Sequence, residues 1–355
     1  MEVYMKREII HVSTGRPYDI IVENGLLRET GALAAKVTKA RNAAVITDTN
    51  VAPLFLEAVK NSLEEAGFSV KTYIFPAGET SKNHKTLIGI YEFLAQNGFN
   101  RSDVIIALGG GVVGDVAGFA AATFMRGMDF IQVPTTLLAQ IDSSIGGKTA
   151  VDLCEGKNLV GAFWQPRLVI CDPDTLKTLD KRIFADGMAE AIKHTLIKDR
   201  TLFERLCDGM QVDAEFICRN IDIKRRVVER DERESGERML LNFGHTLGHA
   251  IEKVYNYEKY THGEAVAIGM VTITQFAERR GLTKPGTASK IARVIEKNGL
   301  PVSCDAPLSE ILKAAKNDKK RSAGGITLVL LHDIGEGYLY RVSDSEFNRF
   351  FSEVE

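Results

Sequence analysis

A chain of 355 residues with 45 % hydrophobic and 26 % charged side chains is ordinary globular material, long enough for two cores. Its formal net charge of -2 gives no electrostatic reason to bind nucleic acid or an anionic membrane. The opening residues lack an apolar stretch of signal-peptide length, and the most apolar region, Val104 to Phe124, is broken by Gly109, Gly110, Gly111 and Asp115. Neither export nor a membrane span is expected, and the cytoplasm is the expected compartment. Five scattered cysteines without a Cys-x-x-Cys pair read as reduced thiols.

Along the first half, strand-like and helix-like segments alternate. Tyr18–Val22 and Ala43–Thr47 are short apolar runs, the second ending in Asp48-Thr49-Asn50. The spacing then predicts a helix from about Ala52 to Ala66, a strand over Ser69–Phe75 and a helix over Lys82–Asn97. Asp103–Leu108 is a buried strand running into glycines, and Asp129–Val133 is another strand. After about Pro173, helical spacing dominates in Ala189–Asp199, Glu215–Glu229, His245–Val254 and Glu264–Arg279, while Gly325–Leu331 reads as a strand that pairs locally. The reading is an α/β chain: a Rossmann-like parallel-sheet domain over 1–173, a mostly α-helical domain over 174–355, and an active site in the cleft between them.

Gly109-Gly110-Gly111-Val-Val-Gly114-Asp115 satisfies Gly-x-Gly-x-x-Gly directly after a buried strand. Glycines there let backbone approach a pyrophosphate, with helix amides aimed at the charge. A Rossmann fingerprint belongs to a first strand, so this late position points to a dinucleotide site of different topology. Asp142-Ser-Ser-Ile-Gly-Gly-Lys148-Thr149 resembles the end of a P-loop, but Asp142 stands where that motif needs glycine, which argues against nucleotide hydrolysis. Lys148, followed by Asp152 and then Lys157-Asn158, would read as a solvated loop if the lysine were isolated; several cations near a candidate metal site are better explained by an anionic, phosphorylated substrate.

Three of seven histidines fall in Gly-His245-Thr-Leu-Gly-His249 and Thr-His262-Gly-Glu264. His245 and His249 share a helix face, and His262, after a polar, aromatic-rich loop, can fold over it, which is the pattern of a divalent metal site. Thr246 follows the first histidine where a zinc peptidase needs glutamate. Glu190, on one helix face with Lys193, offers an oxygen ligand, while His194 reads as structural. Singly, Lys224, Glu234, Arg238 and Asn242 read as surface residues, and Lys319 and Lys320 as a basic loop.

Gly-Gly-Gly-Val-Val-Gly-Asp115, Thr-Phe-Met-Arg126-Gly, Val-Pro-Thr135-Thr136, Ile-Asp142-Ser-Ser-Ile-Gly-Gly-Lys148, Lys157-Asn158-Leu-Val-Gly, Gly-Met-Ala-Glu190 and Leu-Asn242-Phe-Gly-His245-Thr-Leu-Gly-His249 together resemble the 3-dehydroquinate synthase family, in family order from about Asp48 to Lys320. The resemblance implies an enzyme using NAD and one divalent metal, zinc or cobalt. It would convert 3-deoxy-D-arabino-heptulosonate 7-phosphate, a phosphorylated sugar acid, to 3-dehydroquinate and phosphate in the shikimate pathway. The implied course is transient oxidation, phosphate elimination, re-reduction, ring opening and intramolecular aldol closure.

By the same resemblance Glu190, His245 and His262 are the metal ligands, which removes His249 from the set and makes it a proton-transfer residue with Glu234. Lys148 and Asp142 join these as catalytic residues. Arg126, Asp142, Lys148, Asn158, Lys193, Lys224, Arg238, Asn242 and Lys319 or Lys320 match substrate positions. Arg126 is of the kind contributed across a homodimer interface. Asp48, Asn50, Glu79, Lys82, Gly110, Gly111, Asp115, Thr135, Thr136 and Lys157 match NAD positions. Arg182-Ile183-Phe184 departs from the family's usual Arg-Glu-Phe, and Phe243 replaces a usual leucine. The alternatives are a related cyclase (aminodehydroquinate, deoxyinosose or valiolone synthase), a metal-dependent alcohol or glycerol dehydrogenase, and, outside enzymes, a binding module.

Overall fold

The computed structural model describes residues 7–319 and 325–352, with the side chains of 317–319 left out. Two compact units divide the chain: one runs through Leu179 and adds Val212–Arg233, the other takes Asp180–Gln211 and everything from Glu234 on. The sequence reading cuts the chain once, after Pro173. The division instead falls after Leu179 and sends one helix of the C-terminal half back to the first unit.

In the first unit, β1 (Glu8–Val12) and β2 (Tyr18–Val22) form an antiparallel pair. Then come α1 (Thr30–Val37), β3 (Asn42–Asp48), α2 (Glu57–Glu65), β4 (Ser69–Phe75), α3 (His84–Gln96), β5 (Val104–Gly109), α4 (Gly111–Thr123) and β6 (Asp129–Pro134). A two-stranded hairpin of β7 (Lys148–Leu153) and β8 (Gly156–Phe163) precedes β9 (Leu168–Cys171). The seven-stranded sheet has the order β1-β2-β9-β6-β5-β3-β4, and all its pairings beyond β1–β2 are parallel.

Alternation along the strands explains the layering. Ala43, Val45, Val104, Ile106, Ile131 and Val133 join Leu33 of α1 and Leu63 of α2 in one core. Ala44, Ile46, Ile105, Ala107 and Phe130 join Ile90 and Leu94 of α3 and Val116 and Ala120 of α4 in another. A sheet covered on both faces needs continuous apolar strands, which is why β5 is buried throughout.

The second unit opens with α5 (Lys181–Lys198) and α6 (Arg200–Cys207). After them α7 (Ala214–Arg230) returns to the first unit. The second unit resumes with a 3-10 turn over Glu237–Asn242, α8 (His245–Val254), α9 (His262–Arg279), α10 (Thr287–Lys297) and α11 (Leu308–Lys319). It closes with β10 (Ile326–Leu331), β11 (Gly337–Val342) and α12 (Asp344–Phe350), and β10 pairs antiparallel with β11, the local pairing expected. Among the described residues no helix is long and apolar enough to cross a membrane.

Candidate active site

In the first unit the expected NAD residues line up along one edge of the sheet. β3, β4, β5 and β6 run parallel, so their carboxyl ends lie side by side. At β3's end Asp48 accepts the amides of Asn50 and Val51 at 2.8 and 2.9 Å. Beyond β4 lie Glu79 and Lys82, and beyond β5 are Gly110 and Gly111, with Gly110 capping α4. Beyond β6 the Thr135 amide donates to the Gly109 carbonyl at 3.0 Å. A Cβ on Gly110 would stand 3.1 Å from Thr136 Cγ2, and one on Gly111 3.1 Å from Ser143 Oγ, so side chains there would crowd the turn between β5 and α4.

Lys82 and Asp115 form a mostly buried ion pair at 2.5 Å, and Lys157 reaches Glu79 at 3.7 Å. Lys148, Asp152, Lys157 and Asn158 lie on the β7–β8 hairpin, tied to the Lys82 loop by the Asp152 amide on the Lys82 carbonyl at 2.8 Å. Lys148 opens β7 and is exposed; Asn158, on β8, is exposed and held at φ 56.

Asp142 lies in the helical turn Ala139–Ser143, where Lys224 of α7 bonds both its carboxylate and, at 2.6 Å, its carbonyl. Lys224 is therefore buried, contrary to the surface reading. Arg126 stands apart. It follows α4 at the end opposite Gly111, about 20 Å along the axis at 1.5 Å per residue. Met125 and Arg126 there hold φ 51 and 64, a conformation costly for side-chain-bearing residues.

The second unit gathers the histidines. Gly244, at φ 80, caps α8 at a point where a Cβ would come 2.5 Å from Met270 Cγ and 2.7 Å from the Val266 carbonyl. A Cβ on Gly269 would sit 2.1 Å from the Gly244 carbonyl. Only glycines let α8 and α9 approach this closely, and the approach brings the His245 and His262 ring centroids to 5.1 Å. His262 opens α9, whose capping box joins Thr261 and Glu264. Two contacts dock that terminus on α5: Arg182 bonds both oxygens of Glu264 at 2.8 and 2.7 Å, and the Gly263 amide bonds Asp186 at 2.5 Å.

Glu190, buried on α5, gives one oxygen to Lys193, itself buried. The other, Oε1, stands 3.6 Å from Nε2 of His245 and 3.5 Å from Nε2 of His262. The ring nitrogens facing away are engaged as well: Nδ1 of His245 lies 3.1 Å from the Phe243 carbonyl, and Nδ1 of His262 lies 3.4 Å from Glu252. With a metal bound, a proton kept on each Nδ1 would leave both Nε2 lone pairs free to meet it beside Glu190 Oε1. The donor atoms of Glu190, His245 and His262 lie within 4.8 Å of one another, a two-nitrogen, one-oxygen set that suits zinc or cobalt.

Burial pushes the His245 imidazole down to about 3. Burial acts the same way on His262, but the Glu190 and Glu252 carboxylates outweigh it and lift that ring to about 10. His249, exposed on α8, lies 5.4 and 5.9 Å from the other two rings, beside the set that includes Glu190.

Glu234, at φ 59, accepts from the Asn242 amide at 2.9 Å. Arg238 is fully buried, again contrary to the surface reading. Lys320 and the Lys319 side chain lie outside the described residues. Sequence reasoning passed over Glu252, Asp186 and Glu264. Helical spacing carried a signal for two of them, since Glu252 is seven residues after His245 and Asp186 four before Glu190.

A glycine-turned parallel sheet and a helical carboxylate–imidazole set are the equipment of a metal- and nucleotide-using α/β enzyme. Comparison with known proteins narrows the class. Residues 72–186 match the 3-dehydroquinate synthase N-terminal family and residues 187–321 its C-terminal family. A 3-dehydroquinate synthase of Clostridium acetobutylicum is 47 % identical over 347 residues, 95 % of this chain and 97 % of that relative. Among solved structures, a 2-deoxy-scyllo-inosose synthase complexed with carbaglucose-6-phosphate, NAD+ and Co2+ is similar at TM-score 0.84 and 26 % identity, covering 98 % of this chain and 100 % of that one. A 2-epi-5-epi-valiolone synthase of Streptomyces hygroscopicus with NAD+ and Zn2+ is similar at TM-score 0.84 and 27 % identity, covering 99 % and 98 %. The chain belongs to the 3-dehydroquinate synthase family.

Proposed function

We propose that the two residue sets divide the work of the family's reaction. That reaction, catalysed by this carbon–oxygen lyase, converts 3-deoxy-D-arabino-heptulosonate 7-phosphate to 3-dehydroquinate and phosphate. The observation that carries the reading is the convergence of Glu190, His245 and His262 on one point. These three would hold the metal, and the residues at the carboxyl ends of β3 to β6, with Glu79, Lys82, Asp115 and Lys157, would hold NAD. When bound, NAD supplies a reversible hydride acceptor and the divalent metal, zinc or cobalt, a Lewis acid.

The chain's own groups do the rest. Lys193 neutralises one oxygen of Glu190 and leaves Oε1 turned toward the histidines. Lys148, Asn158, Lys193, Lys224, Arg238, Asn242 and the Lys319/Lys320 pair supply cations and amides for the phosphate and carboxylate of the substrate, fixing one pose. Asp142 holds the Lys224 ammonium in place. His249, exposed beside the ligand set, moves protons between substrate and solvent, and Glu234, oriented by Asn242, is the second acid–base group.

The remoteness of Arg126 from the Gly110 turn supports its use in the neighbouring site of a homodimer. Five free cysteines support placing the enzyme in the reducing cytoplasm. Incubation of the purified protein with the heptulosonate phosphate, NAD and zinc should release phosphate with no net NADH. Steady NADH accumulation would instead indicate a dehydrogenase.

A further inference from the structure

Glu252 lies on α8 seven residues after His245 and three after His249, on the helix face that carries the ligand set. It is 2 % exposed. A carboxylate buried to that degree is costly unless a cationic or N–H partner meets it. Its Oε2 stands 3.4 Å from Nδ1 of His262, on the far side of the ring from Glu190 Oε1, which faces Nε2 at 3.5 Å. The imidazole is thus held between two buried carboxylates, one at each nitrogen.

We infer that Glu252 is a positioning residue for the metal centre, accepting the Nδ1 proton of His262 so that Nε2 is the ligand atom. A carboxylate behind a metal-bound imidazole fixes tautomer and ring angle and strengthens the donor. The same geometry admits a rival use, because His249, Glu252 and His262 also bring donor atoms within 4.8 Å of one another, as a second cation site would require. That use asks His262 to give both ring nitrogens to metals and lose both protons. The positioning role asks only for the neutral ring with its proton on Nδ1, and it is the one the geometry points to.

This inference rests on the ligand assignment proposed above, and the test separates the two. Cobalt is titrated into metal-free wild type, Glu252→Gln and Glu252→Asp, with chelator competition giving Kd, the visible cobalt bands reporting geometry, and the thermal midpoint of each metal-free form reporting fold. Wild type should bind one cobalt. Glu252→Gln should bind one cobalt about 10- to 100-fold more weakly, with the metal-free midpoint little changed, and Glu252→Asp should recover part of the affinity. In the cobalt- or zinc-loaded protein, the Nδ1 proton resonance of His262 should shift in Glu252→Gln. Unchanged affinity and resonance in Glu252→Gln would overturn the inference alone. A second cobalt in wild type that Glu252→Gln loses would overturn it in favour of a second site. A wild type that binds no cobalt would overturn the ligand assignment itself.

Discussion

Arg182 grips Glu264 through both carboxylate oxygens, and the same Glu264 closes the capping box that starts α9 at His262. One glutamate therefore sets where the helix begins and how it docks on α5, the helix that carries Glu190. Losing an N-terminal cap costs about 1 kcal/mol, whereas a solvent-facing ion pair contributes roughly 0–1 kcal/mol. Glu264→Ala should lower stability by about 1–2 kcal/mol in denaturant melts and weaken metal binding. Arg182→Ala should change stability less while still weakening metal binding measurably in a chelator competition.

Close approach of α8 and α9 makes a second prediction. A methyl group at position 269 would overlap the Gly244 carbonyl, a backbone atom that cannot swing aside. Gly269→Ala should cost about 1–3 kcal/mol or more and part His245 from His262, abolishing tight metal binding. Gly281→Ala, where nothing lies within 4 Å of the added carbon, should leave the metal site intact despite its positive φ. Thermal melts and metal content of the two purified variants would check this.

The Lys82–Asp115 pair tests the nucleotide half. Burial raises the Asp115 carboxyl even with the Lys82 ammonium beside it. Lys82→Met strands that carboxyl and should destabilise the protein by roughly 3 kcal/mol. Adding Asp115→Leu should restore most of the stability without restoring NAD affinity, read by calorimetric titration. Recovery of both would show that the pair serves only folding.

How much of this was legible beforehand follows from the range of each cause. β5 and α8 could be read almost to the residue because their signals, a continuous apolar run into glycine and helical spacing around two histidines, are local. The β7–β8 hairpin carries no strand signal in the sequence, because β8 is exposed along most of its length and shows no burial alternation. Lys224 and Arg238 looked like surface charges because nothing near them in sequence reveals a buried environment; for Lys224 that environment includes Asp142, eighty-two positions away. Glycine is conspicuous in a sequence, but that Gly244 and Gly269 are needed because two helices nearly touch is a tertiary fact.

Stability should depend on pH through Asp333. Burial alone would raise its carboxyl, but Lys284, Arg200 and the Ile334 amide together hold it well below the ordinary range. A carboxyl depressed in the folded state contributes stability above its unfolded value of about 3.9 and loses it as pH falls toward the folded value. Asp333→Asn should therefore melt below wild type near neutral pH, with the gap closing once pH drops beneath about 4. A gap independent of pH would contradict this account.

The central claim is that neighbouring histidines divide between holding metal and moving protons, and the direct measurement is metal content beside turnover in two variants. His262→Ala should lose the metal and activity together. His249→Ala should keep one metal per chain at close to wild-type affinity while phosphate release slows by about 10²–10⁴-fold, the usual contribution of a positioned acid or base. Loss of metal from His249→Ala, or its retention in His262→Ala, would contradict the account.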